Sequence, residues 1–226
     1  MSREEWEALQ RGYYQIGDHY ETMNRLLSWN FIPRWWKEIA AEVSGRERIL
    51  EVACGPGGLA RELRGSFVVN TDPNPTMVAA TRRQTGGKNA YLRCIAESLP
   101  FKTGSMDAVV SSFAFRNFLD RRGAIEEFHR VLRPGGVAVI AEITKTNPVM
   151  SRLMSRYLRT LIPVFSRVLT PGLESRGDPW MLLPQTYEEI QSIDTFERMM
   201  GEVGFASVSV RKLATGAALV LKGVKS

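Results

Sequence analysis

Eight residues, Glu51-Val-Ala-Cys-Gly-Pro-Gly-Gly58, constrain the fold of this chain more than any other stretch. They close a short apolar run, 49–53, with glycines that let the backbone curl tightly and approach a ligand with no Cβ in the way. A helical pattern over 58–64 follows, so the unit reads strand, tight turn, helix.

The same alternation continues downstream. Strands are expected at 67–69, 90–95, 106–111 and 137–143, and helices at 74–83, opened by Asp72-Pro73, and at 123–132. An Arg133-Pro-Gly-Gly136 turn leads into the fifth strand, and a helix at 195–203 precedes two adjacent strands at 206–212 and 217–222. Short strands alternating with helices give βαβ units, hence an α/β fold: a doubly wound, mostly parallel seven-stranded sheet with both faces covered. Residues 4–43 read as helical, with breaks near Gly17 and Pro33. Residues 147–186, carrying Pro148, Pro163, Pro171, Pro179 and Pro184, interrupt the alternation as a helical cap. The expected organisation is one domain over 1–226: an N-terminal helical lid (1–45), a ligand-binding core (46–146), the cap (147–186) and a C-terminal helix and strand pair (187–226).

With 226 residues, 44% hydrophobic and 24% charged, the chain has the balance of a globular protein with a sizeable core. Its apolar runs fall far short of the ~20 residues that span a bilayer. The first residues are acidic where a secretory signal is basic and then apolar, so a cytoplasmic location is expected. Cys54 and Cys94 have no metal-type spacing and there are only two histidines, His19 and His129; neither a disulfide nor a metal site is expected. The net charge of +6 admits nucleic acid, an anionic membrane surface or neither.

In an open parallel sheet, ligands bind outside the carboxyl ends of the strands where the strand order reverses. Gly55-Pro56-Gly57 alone leaves the ligand open. Gly55-x-Gly57-x-x-Ala60 also satisfies the loose dinucleotide fingerprint, and a plain strand-to-helix turn accounts for the glycines as well. Glu51, four residues before Gly55, moves the reading to S-adenosylmethionine: a carboxylate there can face the methionine ammonium, whereas a pyrophosphate would be repelled. A helical segment also precedes the first strand, where dinucleotide domains often open with it. Asp72 can accept hydrogen bonds from both ribose hydroxyls, or cap the following helix, or both.

From Tyr13 to Phe205 the chain resembles the ubiquinone/menaquinone biosynthesis C-methyltransferase family of class I S-adenosylmethionine-dependent enzymes. The resemblance is carried by Tyr20-Glu-Thr-Met23-Asn24-Arg-Leu-Leu-Ser28 with Arg34-Trp-Trp36-Lys37, by the Glu51–Gly58 turn and by Ala96-Glu97-Ser-Leu99-Pro100-Phe101. It continues in Ser112-Phe-Ala-Phe-Arg116-Asn117, Arg130-Val-Leu-Arg-Pro-Gly-Gly136 and Ala141-Glu142-Ile-Thr144. It implies that Asp72 holds the ribose, that Ala96 and Glu97 border the adenine, and that Ser112 lies beside the cofactor. Met77 would pack on the adenine face or serve the core of its helix. Two positions depart from the family pattern: Ile95 stands where an Asp or Asn usually precedes the alanine of the third motif, and the late aromatic pair of the cap is Trp180 and Leu182.

Ring C-methylation of a quinol needs a group that stabilises the phenolate loading electron density onto the ring carbon. Arg116 is assigned that role, with Asn117 orienting the acceptor oxygen; the alternatives are an Arg116–Asp120 pair and Asn117 as a helix cap. Tyr20 reaches the pocket from the lid, His19 is expected in solvent, and His129 is expected to be structural. Over 151–169, Met154, Leu158, Leu161, Phe165 and Val168 share a helical face, with Arg152, Arg156, Arg159 and Arg167 largely off it. Such a helix rests on anionic lipid or packs on the sheet with solvated arginines, and Pro163 would kink it in either case. The expected partners are a lipophilic quinol or phenol and an anionic membrane surface, with a homodimer allowed and no nucleic acid. Competing functions are methylation of another lipophilic phenol, lipid or natural product, a nicotinamide-dependent reductase, and a non-catalytic cofactor-binding protein.

Overall fold

The computed structural model describes residues 3–16, 20–145, 148–169, 180–181, 183–188, 193–213 and 218–226, without the side chains of residues 14–16, 20, 148, 150, 169 and 188. Three helices lead: α1 (Arg3–Ile16), α2 (Tyr20–Leu27) and α3 (Ile32–Ala41). The expected break at Pro33 falls earlier. Trp29 and Asn30 turn the chain at φ 51° and 61°, and Pro33 sits in the first turn of α3, where its missing N–H costs nothing.

The core then runs β1 (Arg48–Val52), β2 (Phe67–Thr71), α4 (Pro75–Gln84), β3 (Ala90–Leu92), β4 (Met106–Ser112), a 3-10 turn (Phe115–Asn117), α5 (Arg121–Val131) and β5 (Leu132–Ile143). After α6 (Pro148–Leu169) and α7 (Leu183–Glu188), the chain closes with α8 (Ile193–Val203), β6 (Phe205–Leu213) and β7 (Ala218–Lys225). The seven strands form one sheet in the order β3-β2-β1-β4-β5-β7-β6. Pairing from β3 through β5 is parallel, and β7 runs antiparallel between β5 and β6. The α/β, mostly parallel fold read from the sequence is the one observed.

Period-two alternation supplies two cores. Leu50, Val109, Ala138 and Ile140 pack with Phe115 and Phe128 on one face; Ile49, Ala108, Val110, Val137 and Val139 pack with Trp35, Trp36 and Leu59 on the other. With both faces covered, β1, β4 and β5 read as nearly continuous apolar runs.

Four local expectations are corrected. Residues 58–62 form turns and 63–64 no regular structure where a helix is expected: Glu62 N bonds Leu59 O at 2.8 Å, while Arg61 N to Gly57 O and Leu63 N to Leu59 O are both 3.3 Å. Glycine favours no helix, and Gly58 is held against the Trp36 indole, where an added Cβ would lie 2.2–2.6 Å from ring atoms. Gly58→Ala is therefore expected to cost about 1–3 kcal/mol by overpacking; an unchanged melting temperature would mean that the indole gives way freely. Second, β3 ends at Leu92 because Cys94, Ile95 and Ala96 bend away to line the central cavity. Third, Arg133-Pro-Gly-Gly136 lies inside β5 as an irregularity, where the register jumps from Met106↔Leu132 to Ala108↔Val137.

The fourth concerns α6. Met154, Leu158 and Phe165 turn inward, as in the packing alternative, but Val168, expected on the same face, is exposed. The three inward residues join Ile162, Met23, Trp180 and Tyr187 in a third apolar cluster. A second apolar stripe, Val149, Leu153, Val164 and Val168, faces outward among the exposed Arg152, Arg156, Arg159 and Arg167. The helix runs through Pro163 without interruption. Among the described residues, no helix is long and apolar enough to cross a membrane. Leu182, half of the expected late pair, lies outside the described residues; Trp180 is buried.

Candidate active site

The strand order reverses between β1 and β4, and the chain leaves both strands through strained residues. Ala53 and Phe113, neither of them glycine, adopt φ 57°. Left-handed backbone at such residues costs energy and concentrates at functional sites. Here it turns the chain sharply outward at the two strand ends that flank the cleft. Cys54 N still bonds Thr71 O (2.9 Å) and Phe113 N bonds Ala141 O (2.8 Å), so surrounding structure holds the strain in place.

A cavity opens at this point, with about 1740 Å³ of empty space including its mouth. One end is walled by the glycine turn, Asp72, Met77, Ala96 and Glu97; Ser112, Arg116 and Asn117 lie between; the other end is apolar, with Leu27, Ile32, Met154, Leu158, Trp180 and Leu183. The structure thus brings together Gly55, Pro56, Asp72, Met77, Ala96, Glu97, Ser112, Arg116 and Asn117 around one cavity.

Two expected residues stand elsewhere. Gly57 (φ 98°) is packed on α4, where an added Cβ would sit 3.0 Å from the Thr81 Cα, so it holds the turn from behind. Glu51, 1% exposed, lies behind the wall. Its register partner on β2 is Asn70, whose Nδ2 donates to Oε2 at 2.5 Å, and Oε1 has no hydrogen-bond partner among the described residues. Burial, reinforced by the charge of Asp72 and opposed by the Asn70 bond, raises the Glu51 carboxyl to about 8. Of Tyr20 only the place in α2 is described; its side chain, and His19, lie outside the described residues.

Asp72 pins the turn. Its Oδ2 accepts from Gly55 N (2.9 Å) and its Oδ1 from Asn74 N (2.8 Å), while Thr81 Oγ1 donates to Gly55 O (2.7 Å). The helix cap, the alternative role for Asp72, is supplied by Asn74, whose Oδ1 accepts from Thr76 N. Burial pushes Asp72 up to about 6 against the two backbone hydrogen bonds. Each carboxylate oxygen keeps a second lone pair for a ligand hydroxyl.

Arg116 does not pair with Asp120, which caps α5 through Gly123 N. Its partner is Glu142 on β5: Nη1 donates to Oε1 (2.6 Å) and to Phe113 O (2.6 Å), and the Arg116 backbone N donates to Oε2 (3.1 Å). Glu142 is 1% exposed, so it fixes both the side chain and the backbone of Arg116 from inside the fold. Asn117 caps no helix; its Nδ2 donates to the Tyr13 hydroxyl on α1 (3.2 Å). Glu142, quoted only within a family motif, and Tyr13 carry no role in the sequence reading, because each meets its partner only through the tertiary fold.

A family model described as the ubiE/COQ5 methyltransferase family matches residues 2–225. The chain belongs to the ubiE/COQ5 methyltransferase family. It is 34% identical to a ubiquinone/menaquinone biosynthesis C-methyltransferase of Geobacter sp. (strain M21), with 98% of each chain covered, and 32% identical to that of Syntrophotalea carbinolica, with 94% and 92% covered. Among solved structures, the fold is similar to a SAM-dependent methyltransferase from Thermotoga maritima (TM-score 0.65, 16% identity, 95% of this chain and 100% of that one). It is also similar to phosphoethanolamine N-methyltransferase 2 of Haemonchus contortus in complex with S-adenosyl-L-methionine (TM-score 0.55, 16% identity, 79% and 48%). The resemblance read from the motifs therefore holds, and with it the assignment as an S-adenosylmethionine-dependent methyltransferase of the ubiE/COQ5 family. The wall suits that cofactor: a left-handed Gly55 whose added Cβ would meet nothing within 4 Å, an acid, Asp72, anchored at the end of β2, and, behind them, a buried Glu51 oxygen with no partner among the described residues.

Proposed function

We propose that this ubiE/COQ5-family enzyme methylates a ring carbon of a prenylated quinol at the rim formed by Ser112, Arg116 and Asn117. The observation carrying this reading is the single cavity joining a cofactor-type wall to an apolar end beneath α6 and α7, with Arg116 and Asn117 between. When bound, S-adenosylmethionine supplies an electrophilic methyl group on a sulfonium. Gly55, Pro56 and Asp72 would hold its methionine and ribose ends, with Met77, Ala96 and Glu97 around the adenine and Glu51 biasing the wall towards cations.

Arg116 presents a fixed positive charge that favours the phenolate form of the acceptor; being permanently protonated, it acts as a stabiliser rather than a base. Asn117, held by Tyr13, orients the acceptor oxygen, and Tyr20 contributes from the lid. The largely apolar lining of the cavity strengthens these charges, and its walls would hold the reactants in line.

The prenylated acceptor arrives from a membrane. The outward stripe of α6 with its arginines suits an anionic lipid surface, and Trp29, 75% exposed, extends it, its ring stacking on Tyr157 of α6 at 6.5 Å. Each basic side chain near such a surface contributes roughly 1 kcal/mol. Sedimentation with phosphatidylglycerol vesicles is expected to retain the protein at low salt and release it at high salt, with Trp29→Ala weakening retention. Retention indifferent to salt and anionic lipid removes the membrane contact. The competing occupant of the same stripe is a second copy of the chain, which gel filtration would reveal as a homodimer.

The activity is tested by methyl transfer to demethylmenaquinol in vesicles. Transfer to soluble phenols but to no prenylated quinol would replace the quinol by another lipophilic acceptor.

A further inference from the structure

Helix α1 covers the cofactor wall, and one of its side chains is left with an unmet need there. Gln10 lines the cavity together with Asp72, Met77 and Ile95, and its Oε1 is buried with no hydrogen-bond partner among the described residues. A buried acceptor without a donor is costly, so such an atom marks a place where a ligand donor fits. The helix is fixed in position: Asn74 Nδ2 donates to Gln10 O (2.8 Å), and Asn74 N donates to Asp72 Oδ1 (2.8 Å), so Gln10 is linked through one residue to the ribose acid. One helical turn on, Tyr13 takes the Asn117 bond (3.2 Å), a second tie between α1 and the core.

Adenosine offers two kinds of donor, the ribose hydroxyls and the exocyclic amine. The hydroxyls have Asp72. On the adenine side the wall offers Ile95, with no polar atom in its side chain, and Glu97, whose Oε1 is shared with Asp120 N (3.1 Å), so Gln10 adds the acceptor whose lone pairs are not already in use. We propose that the amide oxygen of Gln10 accepts a hydrogen bond from the exocyclic amine of the cofactor's adenine, so that α1 reads the base and closes over it. This rests on S-adenosylmethionine being the cofactor, and the experiment separates the two claims.

Calorimetric binding of S-adenosylhomocysteine to the full chain comes first; wild-type protein that does not bind it overturns the cofactor assignment itself. Given binding, the wild type is expected to prefer S-adenosylhomocysteine over its analogue with hydrogen in place of the 6-amino group by roughly five- to tenfold, the worth of one hydrogen bond. Gln10→Ala should abolish that preference, lowering the affinity for S-adenosylhomocysteine more than that for the 6-deamino analogue. Ile95→Asn, placing an amide oxygen on the opposite wall, should restore the preference in the Gln10→Ala background. Equal weakening of both ligands by Gln10→Ala, or an unchanged preference, would overturn the assignment of Gln10; the comparison of two ligands on one variant stands even if the double variant does not fold.

Discussion

Arg116→Ala is expected to lose roughly 3–5 kcal/mol of folding stability and about 10²–10³-fold in kcat. The stability loss follows from Glu142. Its carboxylate is 1% exposed, and the substitution removes the 2.6 Å ion pair while leaving the charge inside the fold. The left-handed Phe113 also loses the guanidinium that holds its carbonyl. For a chain of this length such a loss lowers the melting temperature by roughly 10 °C. A drop in kcat alone would not separate an arginine that faces the acceptor from one that merely holds the rim. The double variant Arg116→Ala/Glu142→Gln does, because it takes the charge from both sides. It should regain most of the melting temperature, since a neutral amide is far cheaper to bury than an orphaned carboxylate. If Arg116 stabilises the phenolate, kcat stays low in that variant, and the loss is greatest with acceptors of high hydroxyl pKa. Recovery of kcat along with stability would make Arg116 a structural residue.

That coupling also shows where the sequence stopped being informative. Strand positions were readable because burial on both faces of a parallel sheet leaves long apolar runs, and Asp72 because an acid at the end of a second strand after a glycine turn has few uses. Arg116 could be picked out, but not its partner, which lies 26 residues on along another strand. Asn117 and Tyr13 meet across 104 residues, and Asn74 and Gln10 across 64. No local pattern encodes such pairs. The left-handed Ala53 and Phe113 were invisible for a different reason: nothing in a residue with a Cβ announces positive φ, and only tertiary bonds keep it there. In α6 the sequence carries apolar residues on two sides, and periodicity alone could not tell which side meets the core.

Glu51→Gln is expected to abolish the pH dependence that Glu51 imposes. The folded carboxyl titrates at about 8, against an ordinary value of 4.5, and Asp72 is raised in the same sense, to about 6. A folded value above the unfolded one means that the native state holds the extra proton between about 4.5 and 8. Stability from this group is therefore greatest at low pH and declines as pH rises through that window, by on the order of a few kcal/mol at pH 8. Glu51→Gln removes the decline, so the unliganded variant should melt higher than wild type at pH 8 and converge with it near pH 5. Binding a ligand with an ammonium group works in the opposite direction. A cation near the partnerless Oε1 favours the carboxylate, since charges in a dry interior are felt over several ångströms. Wild-type protein should then release a proton on binding S-adenosylmethionine below pH 8, visible as a buffer-dependent heat in calorimetry. Its affinity should rise by up to about tenfold per pH unit between 6.5 and 8. In Glu51→Gln both effects vanish, and affinity at pH 8 falls on the order of 10²-fold, the worth of about two pKa units of charge interaction. A variant that gains stability at pH 8 without losing affinity would assign Glu51 to the architecture of the β1–β2 pair alone.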